Sequence, residues 1–468
     1  MKKRMTILVI LLTLSLIFTA CSTNTTGEVS EAEADLAEAE AALAEAESDA
    51  TVSEEEKAAL EAELAEAEAA LAEAQAELEH VEITIWTLDS YAPSLNAILD
   101  EFHAANPDVT IVPVINDGNN HRDGLKIAAS SNSLPDMWFQ WGGSLGGFYA
   151  KNGLLYDLTD YAAENNWDEK FESAGLNLST LHGQLAGYPT SLAMVGIYYR
   201  VDIFEELGLE EPTTFEEFET VLATLKDAGY VPLTAAGGGS GWHVMRLVEQ
   251  LIEHYAGPDL HDSMKAFETS FDDESVVQAF TKFKEWVDAG YIIDGFLTLG
   301  GGDAPKKLYS GDAVMVTEGQ WFERNVLSEE LDNSLFGYFP FPSGGTNRMS
   351  AFVEMYQFNA NLTEAELDAA IRFMDFWYGV DTITANPANY KYPIPIVGVQ
   401  IPEANVKTKE MVADIAETGS FTITDQAFPT EVASVLFSVQ DEVALGTMTP
   451  EEGAAAIQAA IETYLANE

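Results

Sequence analysis

The feature that most constrains the fold is an alternation of strand-like and helix-like segments that begins at residue 82. Residues 82–86 alternate apolar and polar side chains, as a half-buried strand does, and residues 93–105 repeat apolar side chains at helical spacing. A strand over 108–115, a helix over 123–130 and a strand over 136–140 follow. This order is typical of a parallel α/β sheet, whose ligands bind beyond the carboxyl ends of the strands.

The length of the chain predicts two lobes. Its 468 residues, of which 47% are hydrophobic, exceed what one core usually serves. Further amphipathic helices are predicted over 214–229 and 275–290, and a last helix begins at Thr449. Since no repeat or linker marks a boundary after residue 82, we predict that residues 81–468 form one two-lobed domain. Its lobes are built from discontinuous segments that several strands join.

The charge of the chain excludes some partners. There are 78 acidic and 22 basic residues, so the formal net charge is −56. Nucleic acid is not an expected partner, because phosphate backbones are bound by Lys and Arg. Phosphate-dense ligands are disfavoured for the same reason.

The N-terminus has the pattern of a targeting segment. Three basic residues precede an apolar run from Met5 to Ala20, which is shorter than the roughly 20 residues of a membrane-spanning helix. The run ends Phe18-Thr19-Ala20-Cys21, which resembles the lipobox of bacterial lipoproteins. This resemblance implies a signal peptide over residues 1–20, a lipid on Cys21 and a protein held on the outer side of the membrane. Residues 21–30 are a polar linker.

An Ala- and Glu-rich stalk is predicted over residues 31–80. One heptad frame runs through it, with Leu36 and Leu43 at a positions and Ala39 and Ala46 at d positions. The stretch carries 18 acidic side chains and a single Lys, so self-repulsion disfavours a strong oligomer and a monomer is expected. One long helix, a helical hairpin and a partner-binding coiled coil all remain open.

Several short motifs after residue 82 resemble one family. They occur in the family's order over residues 83–86, 134–139, 153–159, 187–189, 198–218 and 309–321. The resemblance is to the family 1 extracellular solute-binding proteins, the carbohydrate-binding subunits of ATP-driven importers. It implies two α/β lobes with a cleft between them, closure on a sugar, and delivery to an ABC permease in the membrane.

Aromatic residues are the expected ligand contacts, because sugars offer apolar C–H faces to aromatic rings and hydroxyls to polar groups. Trp141 follows the third predicted strand, whereas Trp138 lies within it, where core packing is an equal alternative. Trp242 follows a glycine-rich stretch. The resemblance places Trp242 in the second-lobe aromatic region and makes Trp321 the stacking aromatic.

Two carboxylates complete the predicted site. Asp89, just beyond the first strand, is placed to accept hydroxyl hydrogen bonds, with a turn or cap role as the alternative. Glu354 aligns with a segment that enters the cleft in the family. Trp286 and Trp377 lie within amphipathic helices, so both are predicted to be core residues.

Enzymatic and metal-binding functions find little support in the sequence. Residues 142–146 match the G-x-S-x-G pattern, but the last His is His261, far from the chain end where a hydrolase triad would need one. Asp117 opens a segment that begins like a calcium loop, yet Arg122 and Ala128 occupy its Gly and Glu positions, so a polar turn is predicted. We expect no catalysis, no metal and no cofactor.

The function predicted from the sequence is a lipid-anchored receptor for a sugar, with an oligosaccharide as the expected ligand. Three alternatives stay open: a surface adhesin or scaffold presented on the stalk, a glycoside-acting enzyme with two carboxylates, and a binding protein for peptides or other solutes. The sequence does not define the sugar or its linkage.

Overall fold

A computed structural model of the chain describes residues 25–48, 52–78, 80–239, 241–345 and 347–467. The described residues form two compact units, one made of those within 25–82 and 103–110 and the other of those within 83–102 and 111–467. The predicted signal peptide (residues 1–20) and Cys21 lie outside the described residues.

The smaller unit contains a helical hairpin. Helices α1 (Thr25–Ser48) and α2 (Glu54–Leu78) pack against each other, so the hairpin alternative holds and a single continuous helix does not. Ala32, Ala39 and Ala46, seven residues apart, are buried at d positions of the predicted frame. Small side chains at this spacing let the two helix backbones approach closely. Helix α1 begins at Thr25, within the segment predicted as a linker.

The larger unit is built on a mixed β-sheet with strand order β2-β1-β3-β10-β6-β8-β7, in which β11 also pairs with β10 and β9 with β6. A separate two-stranded sheet pairs β4 with β5. The strands are β1 (Val81–Leu88), β2 (Val109–Asn116), β3 (Met137–Trp141), β4 (Thr180–Leu181), β5 (Gln184–Leu185), β6 (Tyr188–Arg200), β7 (Leu233–Thr234), β8 (Met315–Gly319), β9 (Phe336–Phe339), β10 (Met349–Phe358) and β11 (Ser420–Thr422).

The prediction of a parallel sheet is correct for part of the sheet only. Strands β1 and β3 are parallel, with Ile85 opposite Met137. Strand β10, however, is antiparallel to both β3 and β6. Local periodicity could not predict this, because β10 comes from a segment distant in sequence whose direction is set by the path of the whole chain.

Helices surround the sheet, and several of them overlap the helices that the sequence predicts. Those up to residue 207 are α3 (Ala92–Asn96), α4 (Leu99–Ala105), α5 (Gly118–Ser131), α6 (Gly143–Lys151), α7 (Thr159–Glu164), α8 (Trp167–Lys170), α9 (Ser173–Ser179) and α10 (Val201–Leu207). The next are α11 (Phe215–Asp227), α12 (Trp242–Lys265), α13 (Glu274–Asp288), α14 (Ala304–Ser310) and α15 (Trp321–Ser328). The last are α16 (Glu364–Trp377), α17 (Val380–Ala385), α18 (Val406–Thr418), α19 (Thr424–Ala427), α20 (Thr430–Leu445) and α21 (Pro450–Asn467).

Local side-chain hydrogen bonds fix several helix starts. Thr214 and Glu217 form a capping box at the start of α11. Asp117 caps α5, because its Oδ1 accepts from the backbone N–H groups of Asn119 and Asn120, each at 3.0 Å. The polar turn predicted from Asp117 onward is therefore wrong beyond this residue, because residues 118–131 are helical and Asp117 is their N-cap.

Each lobe has a core of buried apolar side chains, and a third cluster among the described residues contains Tyr198 and Phe322. The first-lobe core includes Trp138 and Val353, and the second-lobe core includes Val195 and Phe352. Strand β10 thus contributes to both cores through adjacent residues that point to opposite faces of the sheet. Trp286 in the second lobe and Trp377 on α16 are buried, as predicted.

Candidate ligand-binding site

A cavity of about 310 Å³ lies where segments of both lobes meet. Asp89 and Ser90, directly beyond β1, form the first-lobe side. The second-lobe side comes from the start of α12, the end of β8 and the start of α15, and the segment through α14. The lining residues there are Trp242, Gly301, Gly302, Pro305, Lys306, Tyr309, Glu318, Trp321, Phe322, Asn325 and Glu329.

The position of this cavity follows from the sheet. Strand β1 ends at Leu88 and strand β8 ends at Gly319, so the residues after both strands are the ones that reach the cavity. Carboxyl ends of strands are where α/β sheets gather their ligands. The sequence predicts a ligand site beyond the same ends of the strands.

Trp321 is a half-buried wall of the cavity whose orientation is fixed by two contacts. Its indole Nε1 donates to Glu318 Oε2 at 2.6 Å. Its benzo ring occupies the space in which any side chain at position 319 would begin, since a Cβ added to Gly319 would lie 2.1 Å from Trp321 Cζ3. A glycine is therefore required at the end of β8 for the indole to lie in this position.

Glu318 is a buried carboxylate that accepts three hydrogen bonds. Besides Trp321, Arg246 Nη1 donates to Oε2 at 2.9 Å, and His243 Nε2 lies 3.1 Å from Oε1. Burial of Glu318 disfavours its charged form, but the Arg246 charge and these hydrogen bonds prevail and lower its pKa. The group is a fixed anion with its own counter-ion.

Trp242 is the second aromatic wall and lies at the first position of α12. Arg246, one helical turn later, places its guanidinium carbon 4.4 Å from the centre of the Trp242 ring. The same carbon is 4.8 Å from the centre of the Trp321 ring. Both tryptophans therefore contact one buried cation.

The first-lobe side of the cavity is polar. Asp89 is exposed there, and the backbone oxygen of Ser90 accepts a 2.9 Å hydrogen bond from Arg324 Nη1 of α15. Burial lowers the pKa of Arg324, although the nearby Tyr91 and Glu354 oppose this. A direct hydrogen bond thus links α15 to the segment that follows β1.

The structure brings three of the six predicted ligand contacts together in this cavity. These are Trp321, Trp242 and Asp89. Trp141 does not line the cavity. It is half-buried, and the guanidinium carbon of Arg122 lies 4.4 Å from its ring centre. Trp138 is fully buried and donates from Nε1 to Gln357 at 3.1 Å, which is the core role that the sequence left open.

Glu354 lies in a separate buried cluster. It accepts from the Tyr91 hydroxyl at 2.5 Å, and Lys391 Nζ lies 3.3 Å from both of its oxygens. Burial lowers the pKa of Lys391 despite the neighbouring carboxylate. Glu354 thus has internal partners and is not among the cavity-lining residues.

Sequence reasoning missed the residues that organise the walls. Glu318 and Arg246 were not predicted. Arg246 follows Trp242 by four positions, and Glu318 precedes Trp321 by three. Such spacings put side chains on one side of a helix or turn and could have served as a signal. Lys391 gave no local signal, because its partner Glu354 is on β10 and only the tertiary fold brings them together.

The G-x-S-x-G match has a structural role. The Ser144 hydroxyl, near the start of α6, donates to the backbone oxygen of Phe428. Among the described parts of the chain, no group of three His, Cys, Asp or Glu side chains is arranged to hold a metal ion. No helix within the described residues has the length and apolar character needed to cross a membrane.

One family matches more than half of the chain. Its model, the bacterial extracellular solute-binding protein, matches residues 87–382, and the chain belongs to this family. A second model, the GA-like domain, matches residues 22–123, which include the helical hairpin.

Curated relatives cover part of the chain. It is 24% identical over 242 residues to a probable sugar-binding periplasmic protein of Mesorhizobium japonicum, covering 50% of this chain and 56% of the relative. It is 25% identical over 250 residues to the alpha-glucosides-binding periplasmic protein AglE of Rhizobium meliloti, covering 47% of this chain and 52% of the relative. The chain spans about half the length of the curated relatives it matches.

Solved structures cover more of it. A chitin oligosaccharide binding protein aligns with a TM-score of 0.76 and 26% identity, covering 82% of this chain and 99% of that one. Maltose-bound MalE3 of T. maritima aligns with a TM-score of 0.71 and 18% identity, covering 82% of this chain and 99% of that one. These alignments confirm the predicted two-lobed α/β fold.

Proposed function

We propose that this protein is an extracytoplasmic receptor that binds a sugar, with an oligosaccharide as its ligand, between its lobes. The observation that carries the proposal is the cavity with two fixed tryptophan walls and a first-lobe carboxylate. Indole faces pack on the C–H surface of a sugar ring, while carboxylates, Asn325 and Tyr309 offer partners for hydroxyls.

The charge around the cavity favours a neutral ligand. Glu318 is paired with Arg246, and Lys306 is paired with Asp303 at 2.9 Å. Asp89 and Glu329 also line the cavity, so its surface carries further negative charge that would repel an anionic ligand. Relatives named for binding chitin oligosaccharide, maltose and alpha-glucosides support the same class of ligand.

A titration with the full chain tests this proposal. Chitin oligosaccharides, maltose, raffinose and stachyose, which are named for related structures, are the first ligands to screen by thermal shift and calorimetry. Trp321→Ala is expected to cost ~2 kcal/mol, or roughly thirtyfold in affinity, as the loss of an aromatic anchor does.

Trp286→Ala is the matched control. Trp286 is buried in the second lobe. Its replacement by Ala is expected to cost ~3–5 kcal/mol of stability without changing the affinity of the folded fraction. Normal binding by Trp321→Ala, together with lost binding by Trp286→Ala at an unchanged melting temperature, would show that the site is elsewhere.

We further propose that a lipid on Cys21 anchors the receptor to the outer face of the membrane, where it delivers its ligand to an ABC permease as a monomer. The lipobox-like residues 18–21 and the family membership support this. Cys21→Ser is expected to move the protein from the membrane fraction to the soluble fraction, because the acylation nucleophile is lost. Equal membrane retention of the variant would contradict the anchor.

A further inference from the structure

The two tryptophan walls of the cavity are joined by a single buried arginine. Trp242 and Arg246 lie on consecutive turns of α12, whereas Trp321 comes from the start of α15. The guanidinium carbon lies 4.4 Å from one ring centre and 4.8 Å from the other. Planar guanidinium groups stack on aromatic faces in a way that an ammonium group does not reproduce.

The guanidinium itself is held by a carboxylate that also holds one of the rings. Glu318 Oε2 accepts from both Arg246 Nη1, at 2.9 Å, and Trp321 Nε1, at 2.6 Å. Arg246 is 7% exposed and Glu318 is 3% exposed, so little water competes for these contacts. Movement of the guanidinium would therefore disturb the surroundings of both indoles together.

We propose that Arg246 is a positioning residue that fixes Trp242 and Trp321 relative to each other, so that both walls are preorganised for a sugar. The expected effect on affinity rests on the proposed function, whereas the positions of the two rings do not depend on any ligand. Preorganised side chains lose less conformational freedom when a ligand binds. Arg246 thus acts on affinity through the two tryptophans.

Near-ultraviolet circular dichroism of the ligand-free full chain tests the positioning role directly. Arg246→Lys keeps the charge beside Glu318 but removes the planar group, so the tryptophan bands are expected to weaken. If Arg246→Lys does not accumulate as folded protein, Arg246→Gln takes its place. Gln keeps a planar hydrogen-bond donor but lacks the charge, and the tryptophan bands are again expected to be weaker than in the wild type. Unchanged tryptophan bands in a folded variant would overturn the proposal.

Affinity for the sugar identified in the screen gives the second readout. Arg246→Lys is expected to weaken binding about tenfold in the wild-type background. In a Trp242→Ala, Trp321→Ala background, Arg246→Lys is expected to weaken binding by less than about threefold, because the two rings that Arg246 positions are gone. An equal loss in both backgrounds would overturn the proposal and indicate that Arg246 contacts the ligand itself.

Arg348→Lys is the matched control. Arg348 also combines a buried carboxylate partner, Glu253 at 2.9 Å, with an aromatic ring, Phe421 at 5.6 Å, but none of these residues lines the cavity. Arg348→Lys is expected to lower the melting temperature while leaving sugar affinity and the tryptophan bands unchanged. If the wild-type protein binds none of the sugars, the proposed function fails, whereas the dichroism comparison still decides the role of Arg246.

Discussion

Replacing Glu318 with Gln removes the negative charge that pairs with the buried Arg246. A Gln carbonyl oxygen can still accept from Arg246 and Trp321, so the variant changes charge with little change in shape. Arg246 would then be buried without a counter-ion. Removing one partner of a buried ion pair costs roughly 3–5 kcal/mol, which is a large part of the 5–15 kcal/mol that stabilises a typical domain.

A control with the same chemistry exists at the surface. Glu219 accepts from Lys282 Nζ at 2.9 Å and from Trp286 Nε1 at 3.4 Å, so it too combines a cation with a tryptophan. Its side chain is 36% exposed, compared with 4% for Glu318. Glu219→Gln is therefore expected to cost about 0–1 kcal/mol, since water screens the pair.

Urea unfolding of both variants and the wild type at pH 7 measures the difference. A loss of stability several times larger for Glu318→Gln than for Glu219→Gln is expected. If the two variants lose equal stability, burial does not make the Glu318–Arg246 pair more stabilising than the exposed Glu219–Lys282 pair, and the buried pair does not hold the cavity walls.

Two other properties can be tested. Burial lowers the pKa of His121 to about 4, with Arg122 adding to the effect, so between pH 6.5 and 4 the unfolded chain binds the proton that the folded chain does not. Stability should therefore fall by up to roughly 3 kcal/mol as the pH drops through this window. His121→Gln, which can still donate to the Phe139 oxygen but does not titrate there, should lose less stability over the same pH range in thermal melts; an identical pH profile would contradict this origin. Deleting residues 28–80 should leave sugar affinity unchanged, because a spacer supplies reach and no ligand contacts; a loss above about tenfold would show that the hairpin takes part in binding.

Local patterns in the sequence determined the type and place of several elements. Apolar spacing predicted strands β1 to β3 and helices α11 and α13, because side-chain periodicity reflects which face is buried. The heptad frame predicted the buried d-position alanines of the hairpin, and the tryptophans inside helices, Trp286 and Trp377, were predicted as core for the same reason. Among the cavity residues, a glycine-rich stretch pointed to Trp242 and a strand end to Asp89, whereas Trp321 was predicted from the family resemblance.

Only the tertiary structure decided how distant segments meet. Strand β10 enters the sheet antiparallel to β3, a pairing that no local pattern encodes, and this brings Glu354 to Lys391 inside the protein instead of into the cavity. Arg246 and Glu318 lie on a helix and a strand far apart in sequence, and their attraction becomes strong because folding removes both from water. The sequence supplied the aromatic walls, whereas the fold supplied the buried charge pair that holds them.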